Sequence, residues 1–209
     1  MSKPHRAVPK RPLNMRNFFL SLTCFLLTSG IEAFGVEAVL RDDISVSTRP
    51  GAPLPNGKAD SLRISETDYV FLRFEFDSVL PEGTTANQIA KASLRLWCAG
   101  GRNGGVCSVS PVRGIWSEAK NGISAKALPA IAAAPTTTGG VDQPQSFMIL
   151  DVTELVREWV SGTPNWGLRI RGAFFSGPDG AIPPMNLFFD SKENRSTGHL
   201  PTLQIVLRP

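Results

Sequence analysis

Apolar and polar residues alternate along most of the chain. The clearest run is Tyr69 to Asp77, where Val70, Leu72, Phe74 and Phe76 fall on one side and Tyr69, Phe71, Arg73, Glu75 and Asp77 on the other. Period-two alternation predicts a strand with one face in a core. Shorter runs of the same kind cover Ser61 to Ser65, Ala92 to Cys98, Val106 to Val112, Phe147 to Val152, Trp166 to Arg171, Met185 to Asp190 and Leu203 to Leu207. Ala38 to Thr48 opens the series, with Val39, Ile44 and Val46 as expected core contacts. Helical spacing occurs once. Val152, Leu155, Val156 and Trp159 share one helical face between Asp151, an expected N-cap with Glu154 three residues on, and the stop Ser161-Gly162-Thr163-Pro164. Arg49 to Lys58 reads as a loop, and Ser117 to Gly140 as irregular surface chain with short extended pieces. Many short strands and one short helix predict an all-β antiparallel sandwich; a parallel α/β fold would need crossover helices that the pattern lacks.

The first 35 residues follow another logic. Lys3, Arg6, Lys10, Arg11 and Arg16 form a basic stretch without an acid, and the apolar run Phe18 to Leu27 follows. That run is too short for a helix crossing a hydrocarbon core of ~30 Å, and it has the length of a signal-peptide h-region. Ala33-Phe34-Gly35 is a small-x-small site, which predicts a signal peptide over 1–35, cleaved after Gly35, and one domain over 36–209. Met15 is an alternative start, and an uncleaved anchor is the competing reading of this segment. Export places the domain outside the cell or in its envelope, with no stable membrane anchor once the leader is removed.

The leader also carries the charge. The chain has 22 Lys and Arg against 18 Asp and Glu; 5 of the former and 1 of the latter lie in residues 1–35, leaving 17 of each in the domain. A balanced domain has no bulk positive field to displace counterions from phosphate, so no nucleic-acid partner is expected. Cys98 and Cys107 remain, bracketing a Gly-rich turn; in an oxidising space a disulfide pinning that turn is expected, two buried thiols being the alternative. The domain keeps one histidine, His199, in a Gly-His-Leu-Pro turn where it reads as a surface residue. G-x-S-x-G, H-E-x-x-H and P-loop motifs are absent from the chain.

Five segments in order, YVFLRFEFDS (69–78), IAKASLRLWC (89–98), VSPVRGIWSE (109–118), FMILDVTELVREWVSGTPNWGLRIRG (147–172) and LFFDSKENRSTGHLPTLQIVL (187–207), resemble the DNRLRE domain, also classed as carbohydrate-binding module family 96. The chain departs from that pattern after the W-x-E stretch, where Ala119 to Ser124 stand in place of the usual V-T-W-N-x-x-P. The resemblance implies a jelly-roll-like sandwich and binding rather than catalysis. Some members of the family bind acidic polysaccharides, which implies a uronate-containing polysaccharide as partner.

Guanidinium groups pair with uronate carboxylates through a planar fork, and aromatic faces stack on sugar C–H faces. The cationic candidates are Arg169 and Arg171 on one strand face, Lys192 and Arg195 in the loop after Asp190, and Arg95 on the outward face of its strand; Trp97 is the candidate platform. Glu75 could instead neutralise Arg169 and Arg171 across the sheet. Trp116 and Trp159 read as core, and Trp166 is open between the two roles. Calcium is a further candidate ligand, through Asp42, Asp43 and Asp60, without a diagnostic spacing. A structural or adhesive protein of the envelope or extracellular matrix is the alternative function; it would show an exposed apolar patch or an open sheet edge. If the leader is processed as predicted, N-terminal sequencing and intact mass of the exported protein will give a chain starting at Val36.

Overall fold

A computed structural model of the protein describes residues 34–119, 122–172 and 185–208. All but the last two residues of the predicted leader lie outside that set; Phe34 and Gly35 stand opposite Leu207 and Val206 at the start of the first strand. Ten strands and one α-helix follow in the order β1 (Phe34–Ser47), β2 (Ser61–Ser65), β3 (Asp68–Glu75), β4 (Ile89–Arg102), β5 (Gly105–Pro111), β6 (Thr137–Val141), β7 (Ser146–Asp151), α1 (Thr153–Val160), β8 (Leu168–Gly172), β9 (Asn186–Asp190) and β10 (Thr202–Leu207). Every strand pairing is antiparallel. The expected all-β sandwich is what the chain forms.

The first sheet is built on β4. One edge of β4 pairs with β7, and its other edge pairs with β10 and then β9 placed end to end. β2 extends this sheet beyond β9, and residues 34–38 of β1 extend it beyond β10. The second sheet runs β1, β3, β8, β5, β6, using residues 39–47 of β1. Leu72, Phe74, Leu94, Leu96, Ile170 and Phe189 meet between the sheets with no exposed surface. Leu155, Val156 and Trp159 of α1 enter the same core, and Trp159 stacks on Phe76 at 6.0 Å between centroids. The helix starts one residue later than its sequence signal suggests, with Val152 at the N-cap. The Asp151 carboxylate still accepts from the Thr153 backbone N–H and hydroxyl, while Glu154 pairs with Arg157 instead of reaching back.

Several sequence expectations are corrected. Val39 is 51% exposed because β1 carries an extra residue between Leu40 and Asp42 relative to β3, which reverses the side-chain alternation. The stretch read as irregular surface chain contains β6 and, before it, a segment folded over the outside of the second sheet. Phe71 points away from the main core, as its alternation requires, yet it is fully buried. It lies with Ile44, Val46, Val112, Trp116 and Ile123 in a second apolar cluster. Trp116 packs on Phe71 at 5.7 Å and donates its indole N–H to the Trp166 carbonyl, so Trp166 has a packing role.

The expected disulfide is absent: Cys98 and Cys107 are free, buried thiols. β4 and β5 follow each other in sequence but belong to opposite sheets, so the Gly-rich turn carries the chain across the sandwich instead of closing a ladder. The Cys98 thiol donates to the Gly100 carbonyl and the Cys107 thiol to the Met185 sulfur. Burial raises both thiols, Cys107 to about 12, so neither carries thiolate near neutral pH.

Trp116→Ala removes the ring that anchors the covering segment to Phe71. We expect a loss of about 3–5 kcal/mol in urea unfolding of the protein, the usual cost of emptying a buried aromatic site.

Candidate functional site

The residues proposed from sequence do not converge on one place. Arg169 and Arg171 lie on β8 in the second sheet, Trp97 on β4 in the first, and Lys192 and Arg195 in the loop that joins β9 to β10. Each must be taken where it stands.

Lys192 belongs to the scaffold. Its ammonium lies 3.4 Å from Asp43 and 3.3 Å from Glu193, and it donates a hydrogen bond to Glu118. The Asp43 carboxylate also accepts from the Lys192 backbone N–H at 2.7 Å, and Glu118 accepts from the Asp43 backbone N–H at 2.9 Å. This knot ties the covering segment, β1 and the β9–β10 loop together. Burial pushes the Asp43 carboxyl above its usual range, outweighing the hydrogen bonds and charge of Lys192. Burial by itself would lower the Lys192 ammonium, but the Glu118 hydrogen bond and the neighbouring carboxylates raise it. Arg195 is exposed on the same loop.

Two of the three calcium candidates, Asp42 and Asp43, are spent in the same way, while Asp60 is exposed. Asp42 accepts two hydrogen bonds from the Arg73 guanidinium, which lies over the Trp116 ring, and Asp43 faces Lys192. A cleft of about 540 Å³ beside them is lined by Asp42, Asn56, Lys58, Glu118 and Glu193, yet Asp42 and Glu118 already meet cations. Among the described residues no three His, Cys, Asp or Glu side chains converge as a metal set.

Arg169 and Arg171 do share a face. Leu168 and Ile170 enter the core, so the two arginines project from the outer side of the second sheet. Gly167 sets up the entry to β8: its φ is +83°, and a Cβ there would lie 2.2 Å from the Leu72 carbonyl oxygen, so only glycine brings β8 this close to β3. Across the ladder Arg169 stands between Phe71 and Ser110, and Arg171 beside Ser108. The Arg169 guanidinium lies 5.4 Å from the centre of the Tyr69 ring, and its Nε is buried with no hydrogen-bond acceptor. Burial, then the charge of Arg171, lower the Arg169 guanidinium, opposed by Tyr69. Glu75 is bonded to Arg41 at the far end of β3. Asp68 is engaged with Ser65, Arg63 and Arg49. The outer side of the second sheet carries two adjacent guanidiniums, a half-buried phenol ring and the half-buried Ser108, with Ser110 buried beside Arg169.

Trp97 lies on the outer side of the first sheet, as its alternation predicts. Its ring centre is 4.9 Å from Phe147 and 4.4 Å from His199, and the Arg95 guanidinium lies 4.4 Å from the Phe147 ring centre. His199 is thus no plain surface-turn residue: the turn folds its imidazole onto two rings, with Nδ1 buried and 4.0 Å from Asp190. Sequence reasoning missed Phe147 and His199. Phe147 was legible as the residue alternating outward before Met148, but its register opposite Trp97 comes from strand pairing across a long interval.

A scan against protein-family models finds no match for the chain, and a search of the curated proteins finds none either.

The Lys192 knot has a pH signature. An ammonium raised on folding contributes stability that is complete below its ordinary 10.5 and is lost as pH rises through the higher folded value. We expect Lys192→Met to flatten the fall in unfolding free energy above that pH relative to the parent. At pH 7 the variant should lose about 3–5 kcal/mol, because Asp43 is left buried without its cation; urea titrations across the alkaline range check both.

Proposed function

We propose that this chain is an exported, non-catalytic binding protein for an acidic polysaccharide, the role that the DNRLRE resemblance implies. One observation carries the reading: Arg169 and Arg171 project from the same sheet face, Arg169 lies against the Tyr69 ring, and the Arg169 Nε meets no acceptor in the protein. A half-desolvated guanidinium without a carboxylate holds an electrostatic and hydrogen-bonding capacity that folding has not used. A uronate carboxylate pairs with the terminal nitrogens of a guanidinium, the Ser108 hydroxyl offers a bond to a sugar hydroxyl, and the phenol ring offers an apolar face to the sugar. Recognition of this kind depends on a few placed arginines, which suits a domain whose charges balance overall.

The alternative of a structural or adhesive protein has one observation in its favour, the exposure of Phe147 and Ile149 on the other sheet.

Affinity electrophoresis of the exported protein through gels containing alginate, pectin or neutral glucans tests the proposal. Retardation should occur with the polyuronates, weaken as salt screens the contacts, and be absent with the neutral glucans. Arg169→Ala combined with Arg171→Ala should weaken binding by roughly 10- to 100-fold, as expected for the loss of charge-assisted hydrogen bonds of about 1.5–3 kcal/mol. Equal mobility in all gels would refute the function, and undiminished binding by the double variant would refute the site.

A further inference from the structure

We infer that the outer face of the first sheet is a second site for the same class of acidic glycan, so that one molecule holds two chain segments on opposite sides of the sandwich. The inference rests on the polysaccharide reading above and adds a valence to it.

The two outer faces differ in cover but agree in chemistry. The second sheet is partly roofed by the Trp116 segment, and its site opens beside that roof. On the first sheet Phe147 and Ile149 are 37% and 58% exposed, although both lie in the middle of a paired strand. Arg95, Trp97, Phe147 and Ile149 make one surface because Trp97 stands opposite Phe147 and Arg95 opposite Ile149 in the β4–β7 ladder. Like Arg169 over Tyr69, Arg95 lies over an aromatic ring and keeps a buried Nε with no acceptor. His199 adds a second nitrogen without a hydrogen-bond partner against the Trp97 ring. Asp190, 4.0 Å from the His199 Nδ1, is buried and already accepts from Asn194 and Thr197. The arrangement continues across the sheet: on β9, beyond β4, Phe188 is also exposed and carries the Arg63 guanidinium at 5.6 Å.

These features choose the occupant. An apolar protein surface laid on the face would cover the Phe147 and Ile149 side chains but would also enclose the Arg95 guanidinium with no acceptor. A uronate chain answers both needs. Its C–H faces meet the rings, and its carboxylates pair with the terminal nitrogens of the Arg95 guanidinium. The site needs no conformational change of the sheet, because paired strands on both sides of β4 hold its members.

The decisive experiment measures stoichiometry. The exported protein is titrated with a purified polyuronate hexasaccharide in a calorimeter, and separately mixed with long polyuronate to follow turbidity. Two hexasaccharides per chain and polymer cross-linking by the parent are expected. Trp97→Ala with Phe147→Ala should bind one hexasaccharide and lose cross-linking, and so should Arg169→Ala with Arg171→Ala, each keeping the other site. Arg95→Gln, which removes the charge but leaves the rings packed, should weaken only the first-sheet site by tenfold or more; it serves if the aromatic variant does not fold. A stoichiometry of one that Arg95→Gln leaves unchanged overturns the second site while the polysaccharide reading survives. Absence of any hexasaccharide binding by the parent overturns both. If the aromatic or Arg95 variants alter self-association in sedimentation and leave the glycan stoichiometry unchanged, the face is a protein interface and the inference fails.

Discussion

Strand β1 is hydrogen-bonded to β10 through its first five residues and to β3 through the rest, and the sandwich is organised around that division of labour. A strand shared by two sheets has to turn its side chains as it crosses from one to the other. The extra residue between Leu40 and Asp42 does this: it breaks the alternation, strengthens the local twist and lets Ala38 face the main core while Ile44 and Val46 face outward beneath the covering segment. The same shift places Asp42 and Asp43 at the junction, where Arg73 and Lys192 meet them. Burying two carboxylates is costly unless each is paired, and the pairing draws in β3, the covering segment and the β9–β10 loop.

The distribution of charge between scaffold and surface follows. Arg73, Lys192, Arg63 and Arg157 each have an acceptor within the fold, and each fastens elements distant in sequence: Arg157, for example, binds the Ile89 carbonyl and so seats α1 on the start of β4. Arg95 and Arg169 are different. Both lie over rings on outward sheet faces, and both leave Nε without an acceptor. A ring can hold a guanidinium in place without satisfying its hydrogen-bonding capacity, so aromatic support positions these cations while keeping them available. That distinction separates a cation that builds the domain from one able to meet a ligand, and it runs against the idea that the Lys192 loop would contribute to binding.

Alternation along the strands was enough to read the sandwich, the single helix and the core residues Val70, Leu72, Phe74, Leu94 and Leu96, because each is set by neighbours two residues away and by the need to bury one face. The outward direction of Trp97, Arg169 and Arg171 was legible for the same reason. What covers an outward face was not. Phe71 alternates outward and is nonetheless buried, because a segment rich in Ala, Thr and Pro, with no periodicity of its own, folds over it.

Local pattern therefore determined which way side chains point along unbroken strands, and composition determined that residues 36–209 carry equal numbers of basic and acidic side chains. Tertiary structure alone decided which side chains share a face. Cys98 and Cys107 look like hairpin partners but sit on opposite sheets, since the choice between pairing with a neighbour and crossing the sandwich depends on the other strands competing for the same edge. Lys192 and Arg169 look alike in sequence, yet one meets three carboxylates and the other a phenol ring. Strand register over separations of tens to a hundred or more residues sets those encounters, and no short-range spacing encodes it.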